Sequence, residues 1–217
     1  MIIIKTMFID ILLKDPILYF CIIVILIVSV SLHELAHGWA ALDQGDDTPT
    51  SSGHMTLNPV IHMGLPSLFF LFIYGICWGA MPVNPSRFRS EKWGEVLVAA
   101  AGPLMNLSLM FISMLIFNLC CNFLEPTAHL TAFLIFVEIT AVVNLGLFIL
   151  NMIPLPPFDG FHVLSGLMPS FKSLKGRPVG LAVLVLLHIA NVSIVFAAGV
   201  LLKEFFLNPG CSVLRWN

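Results

Sequence analysis

His33, Glu34 and His37 form the pattern H-E-x-x-H, whose residue types and spacing suit metal-assisted hydrolysis. Residues four apart lie on one face of an α-helix, so both imidazoles could bind one metal ion. The Glu34 carboxylate would lie beside them as a general base toward water. Chance gives about 0.006 such patterns in a chain of this composition. A solvated charged face is the ordinary alternative, but this pattern follows an apolar run, where ionisable groups at membrane depth are functional by default.

A catalytic zinc site needs a third protein ligand. The candidates in apolar surroundings are Glu138, Asp159, His162 and His188. Asp159 is favoured because the prolines at 154–157 end the preceding helix and leave irregular backbone near membrane depth. Such backbone is tolerated only where it is buried in protein or lines a wet cavity, where a carboxylate can meet a metal. A loop aspartate that caps the next helix is the alternative.

Other polar residues have simpler interpretations. Gly102 and Asn106 are four apart, which favours close helix packing and an interhelical hydrogen bond. The remaining histidines are interpreted as loop, interfacial or packed residues: His54, His62 and His129, with His188 more often packed than a ligand.

Long apolar segments must position these groups. The chain is 59% hydrophobic and 10% charged, with a mean hydropathy of +0.99, whereas soluble domains carry roughly 25% charged residues. About 20 helical residues cross a bilayer, and four segments are long enough: 16–42, 95–119, 131–153 and 178–202. A fifth, 65–81, is shorter. The sequence therefore predicts an all-α polytopic membrane protein with about four to five transmembrane helices.

The connection between the first two spans is expected to be irregular. Turn formers in 43–64 precede a roughly alternating stretch, which predicts a loop leading into a short strand or hairpin. An edge strand over 53–58, pairing around 55–57, could receive an unwound substrate as a neighbouring strand. If 65–81 crossed fully, the end of the first span and Asp159 would face opposite sides of the membrane. Convergence of the ligands therefore predicts a re-entrant segment or short β segment between the first two spans.

Composition also excludes some functions. The net charge of −2 and the scattered basic residues give no indication of a nucleic-acid partner. The five cysteines show neither zinc-ribbon spacing nor a disulfide framework. The expected organisation is a single domain over 1–217, with an interfacial segment at 1–15, a membrane core at 16–202 and a tail at 203–217.

Five motifs in order resemble those of the site-2 protease family of intramembrane zinc metalloproteases, in a compact form without PDZ or CBS domains. They are HELAHGWAA, TLNPVIH, PVNPSRFR, AGPLMN and NMIPLPPFDG, within about 20–165. The resemblance implies that His33, His37 and Asp159 bind one Zn²⁺ per chain, that Glu34 is the general base, and that Asn151 steadies the oxyanion. The sequence departs from the family pattern at two places. The family's common D-G-G-R reads D-G-F-H at 159–162, and Gly64, two residues after His62, stands where an acidic residue often follows the loop histidine.

The expected function is zinc-dependent endopeptidase activity on peptide bonds within or near transmembrane segments of membrane-protein substrates. The expected substrates have a single span, and the expected location is the lipid bilayer of a cell membrane. An alternative is a catalytically silent zinc-binding membrane protein that binds partner helices. A transporter or channel would call for repeated, symmetric spans with broken helices, and none is visible.

Basic residues predict the orientation. Arg87, Arg89 and Lys92 are expected on the same side as the cluster at 172–177, whereas 120–130 has no Lys or Arg. The positive-inside rule then makes the active-site side cytoplasmic, although Lys5 and Lys14 would lie outside.

Labelling of single cysteines tests this orientation. In a background freed of reactive thiols, cysteines replacing Ser86 and Ser173 should react with an impermeant reagent from the cytoplasmic side. A cysteine replacing Thr127 should react from the opposite side. Labelling of Ser86→Cys and Ser173→Cys from different faces would rule out the re-entrant connection.

Overall fold

The fold is built from helices joined by irregular segments in the residues that this computed structural model describes, which are 8–125, 127–168 and 170–171. Its α-helices are α1 (Ile9–Lys14), α2 (Pro16–Asp43), α3 (Thr48–Ser51), α4 (Pro59–Tyr74), α5 (Glu91–Phe123), α6 (Ala128–Asn151) and α7 (Asp159–Leu167). A 3-10 helix covers Pro85–Arg87. The segment predicted at 178–202 lies outside the described residues.

Among the described residues, three helices are long and apolar enough to cross a membrane: α2, α6 and the Trp93–Phe123 part of α5. They correspond to the first three predicted spans. Their starts follow from side-chain capping, since Asp15, Ser90 and Thr127 each accept a hydrogen bond from a backbone N–H in the first turn. Pro16 adds a first-turn proline to α2, where its missing N–H costs nothing.

The three long helices pack into one bundle. Because Ala41, near the end of α2, packs with Val98, near the start of α5, these two helices run antiparallel. The buried clusters are Met110, Met114, Ala141 and Val142 between α5 and α6, Ile25, Ile139 and Val143 between α2 and α6, and Ala41, Phe88 and Val98 at the α2–α5 end.

In the connection from α2 to α5, α4 packs against α2 toward the N-terminal end of α2, and residues 76–84 then run in the opposite direction toward α5. Met63 and Leu71 of α4 share a buried cluster with the N-terminal half of α2, and the Tyr19 hydroxyl donates to the Phe72 carbonyl over 2.5 Å. Gly75 ends α4 with a left-handed backbone (φ 69°), and residues 76–84 return in irregular, non-helical conformation.

Hydrogen bonds hold the return segment, defined as residues 76–84, against α4. The Ser67 hydroxyl accepts from the Trp78 N–H (2.9 Å) and donates to the Trp78 carbonyl (2.7 Å). The Ala80 N–H donates to the carbonyl of His62 over 2.9 Å. Beyond this segment, the Arg89 N–H donates to the Gln44 carbonyl (2.8 Å), so the two ends of the connection are neighbours.

The strand predicted over 53–58 is not found, and the described residues contain no strand. Bends replace it, because side chains satisfy the backbone locally. The Asn58 N–H donates to the Thr56 hydroxyl (3.2 Å), and the Asn58 side chain accepts from the Val60 N–H and caps α4. The apolar stretch predicted at 65–81 is also shifted, since α4 begins at Pro59 and ends at Tyr74.

Asp46 ties the return segment to the end of α2. Its carboxylate is fully buried and accepts from the Asn84 N–H (2.6 Å), the Thr48 N–H (3.1 Å) and the Thr48 hydroxyl (2.5 Å). Burial raises the pKa of Asp46, but these hydrogen bonds and the nearby Arg87 charge together lower it by more. The pKa of Asp46 therefore lies below its ordinary value.

Replacing Asp46 with Asn should lower the free energy of unfolding at pH 7 by about 1–3 kcal/mol, since the new amide turns a donor toward a donor. The depressed pKa stabilises the fold above the ordinary Asp pKa, and that contribution disappears as the pH falls through the folded-state value. The difference between the two proteins should therefore shrink below about pH 4. Thermal unfolding in detergent, followed by circular dichroism, measures both effects.

Asp47→Asn is the matched control, because Asp47 pairs with Arg87 at the exposed surface and such pairs contribute little. Equal stability of Asp46→Asn and wild type at pH 7, or a difference that grows in acid, would contradict this role for Asp46.

Candidate active site

Helices α2 and α7 bring His33, His37 and Asp159 together. His33 Nε2 lies 3.0 Å from Asp159 Oδ2 and 3.0 Å from His37 Nε2, and His37 Nε2 lies 3.5 Å from Asp159 Oδ1. Both histidines are buried and the aspartate is partly buried. Three potential ligand atoms therefore face one point inside the bundle.

Helix α5 fixes the other nitrogen of each imidazole. His33 Nδ1 is 2.6 Å from Asn106 Oδ1, and His37 Nδ1 is 2.7 Å from the Val98 carbonyl oxygen. Both partners are oxygens that accept, so each Nδ1 carries the proton and donates. Each Nε2 is then left with a lone pair that is directed toward the shared point.

Asp159 is held by the start of α7. The neighbouring Phe158 and Phe161 are buried. Gly160 allows a close approach to the end of α6, because a Cβ there would lie 2.5 Å from the Met152 carbonyl carbon. The prolines that precede Asp159 thus end α6 at Asn151, as expected, and a tight turn returns the carboxylate to α2.

Glu34 lies beside this group, under the return segment. It is 6% exposed, and a Cβ on Gly79 would lie 2.6 Å from its Cγ. Only a glycine lets the return segment approach so closely. Glu34 also interacts electrostatically with His33, His37, Asp159 and His62.

His62 is a buried residue near this carboxylate. Its Nε2–H donates to the Thr56 carbonyl over 2.5 Å, and its own carbonyl accepts from Ala80. Among the described residues its Nδ1 has no hydrogen-bond partner. His62 thus joins the 54–58 bends to the return segment, which agrees with its interpretation as a packed residue.

The other candidates lie apart from His33, His37 and Asp159. Glu138 is buried in α6 and is not part of this group, and His162 Nδ1 lies 3.9 Å from Glu95 Oε1. Asn151 ends α6 partly buried, and in the described part of the chain its side chain makes no hydrogen bond to these three side chains. His188 lies outside that part.

Sequence reasoning missed three contacts of the site. The interhelical hydrogen bond expected of Asn106 is present, but its oxygen also reaches His33, which helical spacing did not predict. The approach of Gly79 to Glu34 and of Gly102 to the imidazoles joins residues far apart in the chain. The spacing of Gly102 and Asn106 indicated close packing against another helix, but it did not identify the histidines as the partners. No sequence signal indicated the contact of Gly79 with Glu34.

Known proteins identify the family. The model of peptidase family M50 matches residues 21–131 and 121–198. "Putative zinc metalloprotease YwhC" of Bacillus subtilis is 37% identical over 151 residues, which cover 68% of this chain and 69% of YwhC. "Putative zinc metalloprotease Rip2" is 30% identical in Mycobacterium tuberculosis and 32% in Mycolicibacterium smegmatis, over 64% of this chain. The matched region spans about half of Rip2, at 53%.

No solved structure matches this chain. The M50 match agrees with the motifs that resemble site-2 proteases, and the alternative of a catalytically silent partner-binding protein is not favoured. The part of the chain that the structure describes contains three apolar helices that can cross a membrane. The chain belongs to peptidase family M50 and is a zinc-dependent intramembrane metalloendopeptidase.

Proposed function

We propose that His33, His37 and Asp159 bind one zinc ion per chain and that Glu34 is the general base of peptide hydrolysis. The observation that carries this proposal is the convergence of two imidazole nitrogens and a carboxylate, all within 4.8 Å of one another. Two histidines and a carboxylate are a known ligand set for catalytic zinc, and the position left over admits a reactant.

The space that Gly102 leaves in front of the two imidazoles supports a metal ion at this site. A Cβ on Gly102 would lie 2.5 Å from His33 Nε2 and closer to His37 Nε2, so the glycine leaves the front of both nitrogens open. Two imidazoles whose Nδ1 protons are hydrogen-bonded and a partly buried carboxylate form a donor set that fits a divalent cation. Within the described residues this is the one group of three such side chains.

The chain's own residues would divide the chemistry as follows. Zinc, when bound, lowers the pKa of water and polarises the scissile carbonyl. Glu34 takes a proton from the attacking water and returns it to the leaving amine. Asn151, at the end of α6, is proposed as the amide donor to the oxyanion, an interaction worth roughly 3–4 kcal/mol in other hydrolases.

The connection between α2 and α5 is proposed to be re-entrant. The hydrogen bond between Arg89 and Gln44 puts its two ends on one side of the bundle, and α4 packs back along α2 as far as Tyr19. The 16 residues of α4 extend at most about 24 Å at 1.5 Å per residue, which is less than the hydrocarbon thickness of about 30 Å. The active site would then open to the side that carries Arg87 and Arg89, which is proposed to be cytoplasmic by the positive-inside rule.

The substrate is proposed to be a single-span membrane protein that unwinds near the cut. Unpaired amides in hydrocarbon cost several kcal/mol each, so the enzyme must offer hydrogen bonds in exchange. The return segment supports such an exchange. Trp78 and Ala80 bond to α4 through their backbone groups, and the intervening Gly79 lies against Glu34, so an unwound substrate could pair with the backbone near Gly79. Helix-weakening residues such as Gly or Pro near the cut should favour cleavage.

Substitution of the base tests the reaction. Glu34→Gln should keep about one zinc per chain but lose cleavage by at least about a hundredfold, since a general base contributes that much or more. His37→Ala and Asp159→Ala should lose both zinc and activity. Metal analysis of the purified proteins and cleavage of a panel of single-span membrane proteins provide the two measurements. Full proteolysis by the Glu34→Gln protein would overturn the mechanism.

Substitution of Gly102 tests the metal position separately. Gly102→Ala should leave α5 helical, since alanine is favoured over glycine within a helix by about 1 kcal/mol, although the methyl group must displace the two imidazoles. It should nevertheless reduce zinc content strongly, because the new methyl group occupies the space in front of both Nε2 atoms.

The matched control is Gly38→Ala, next to His37. A Cβ there meets the flexible side chains of Met55 and Met81, which can move away, so zinc should be retained. Full zinc content in Gly102→Ala, with an unchanged helical spectrum, would argue against this ligand set.

A further inference from the structure

We propose that two buried amides, Asn106 and Asn144, form a hydrogen-bonded relay that fixes the tautomer of His33, so that its metal-facing Nε2 carries the lone pair. Asn144 touches no ligand, and the proposal makes it a positioning residue for the site. The proposal rests on the zinc site proposed above.

The relay crosses all three long helices through hydrogen bonds. His33 Nδ1 of α2 meets Asn106 Oδ1 of α5 at 2.6 Å, and Asn106 Nδ2 donates to Asn144 Oδ1 of α6 over 3.0 Å. Asn144 Nδ2 donates to the Ser29 hydroxyl of α2 and to the Thr140 carbonyl, each over 2.9 Å. Both asparagines are fully buried, and His33 and Ser29 nearly so.

The direction of every bond follows from the Thr140 carbonyl. A carbonyl can only accept, so the nitrogen of the Asn144 amide must face Thr140, and its oxygen must face Asn106. The nitrogen of the Asn106 amide then faces Asn144, and its oxygen faces His33. His33 must donate from Nδ1, and its Nε2 keeps the lone pair that a metal needs.

His37 shows why His33 needs the relay. The Nδ1 of His37 donates directly to the Val98 carbonyl, a backbone group that cannot reverse. The partner of His33 is an amide that could rotate by half a turn and present its NH₂ instead. That NH₂ would place Nδ1 in the role of acceptor, with the proton on the metal-facing Nε2. Asn144 prevents this reversal, because rotation of Asn106 would set two amide oxygens against each other.

Loss of such outer partners costs 10- to 100-fold in metal affinity in other metal sites. The relay explains why two uncharged amides are buried in an apolar bundle, where every polar group needs a partner. It also explains the order of contacts, because Asn144 connects the fixed Thr140 carbonyl to Asn106, the amide that contacts His33.

Zinc affinity of the full-length protein in detergent, measured by competition with a fluorescent chelator, tests the relay. Asn144→Leu should weaken zinc binding about 10- to 100-fold. Asn144→Ser should do the same, because serine can bond to the Thr140 carbonyl within its own helix but is too short to reach Asn106. This second variant keeps a polar group and guards against misfolding of the first.

A rescue separates positioning from packing. Asn106→Asp has a carboxylate that accepts from His33 with either oxygen and has no NH₂ to present. In the Asn106→Asp background, adding Asn144→Ser should therefore change the zinc affinity by less than about threefold, in contrast to its effect on the wild-type background. Val142→Ala is the control for packing, since Val142 is buried in the same α5–α6 interface. It should lower the midpoint of thermal unfolding and leave zinc affinity unchanged.

The outcomes are distinguishable. Wild-type protein that binds no zinc would refute the proposed metal site. Normal zinc binding by wild type, Asn144→Leu and Asn144→Ser alike would refute the relay alone. An equal loss on adding Asn144→Ser to both backgrounds would also refute it, since packing would then be the cause.

Discussion

Two imidazoles and a carboxylate meet inside an apolar helical bundle, and each needs a polar partner there. Ionisable groups at membrane depth are costly unless they bind a partner, a metal or water. His33 and His37 meet this requirement with acceptors from α5 on one nitrogen and with Asp159 on the other. The packing of α2, α5 and α7 around this point follows from the need to satisfy these groups.

The same constraint explains where the bundle uses glycine. Gly102 leaves the imidazoles an open front, Gly79 lets backbone pass against Glu34, and Gly160 turns the chain tightly after α6. Each position faces a polar group of the site or the turn that delivers one. A side chain at any of them would push apart elements that the site brings together.

The sequence predicted the long helices and the convergence of His33, His37 and Asp159 because both depend on local signals. Apolar runs of sufficient length identify α2, α5 and α6, and H-E-x-x-H with a proline-flanked aspartate indicated the three side chains that meet. The strand at 53–58 was wrong because Thr56 and Asn58 satisfy the backbone within the bends. Asn144 and Gly79 could not be predicted, since their partners lie far away in the chain and no spacing relates them.

Zinc K-edge X-ray absorption of the purified wild-type protein tests the ligand set most directly. A site of His33, His37 and Asp159 predicts a first shell of nitrogen and oxygen alone, at about 2.0–2.2 Å, with the outer-shell pattern of two imidazoles. Sulfur at about 2.3 Å, or a shell of three or more imidazoles, would contradict it.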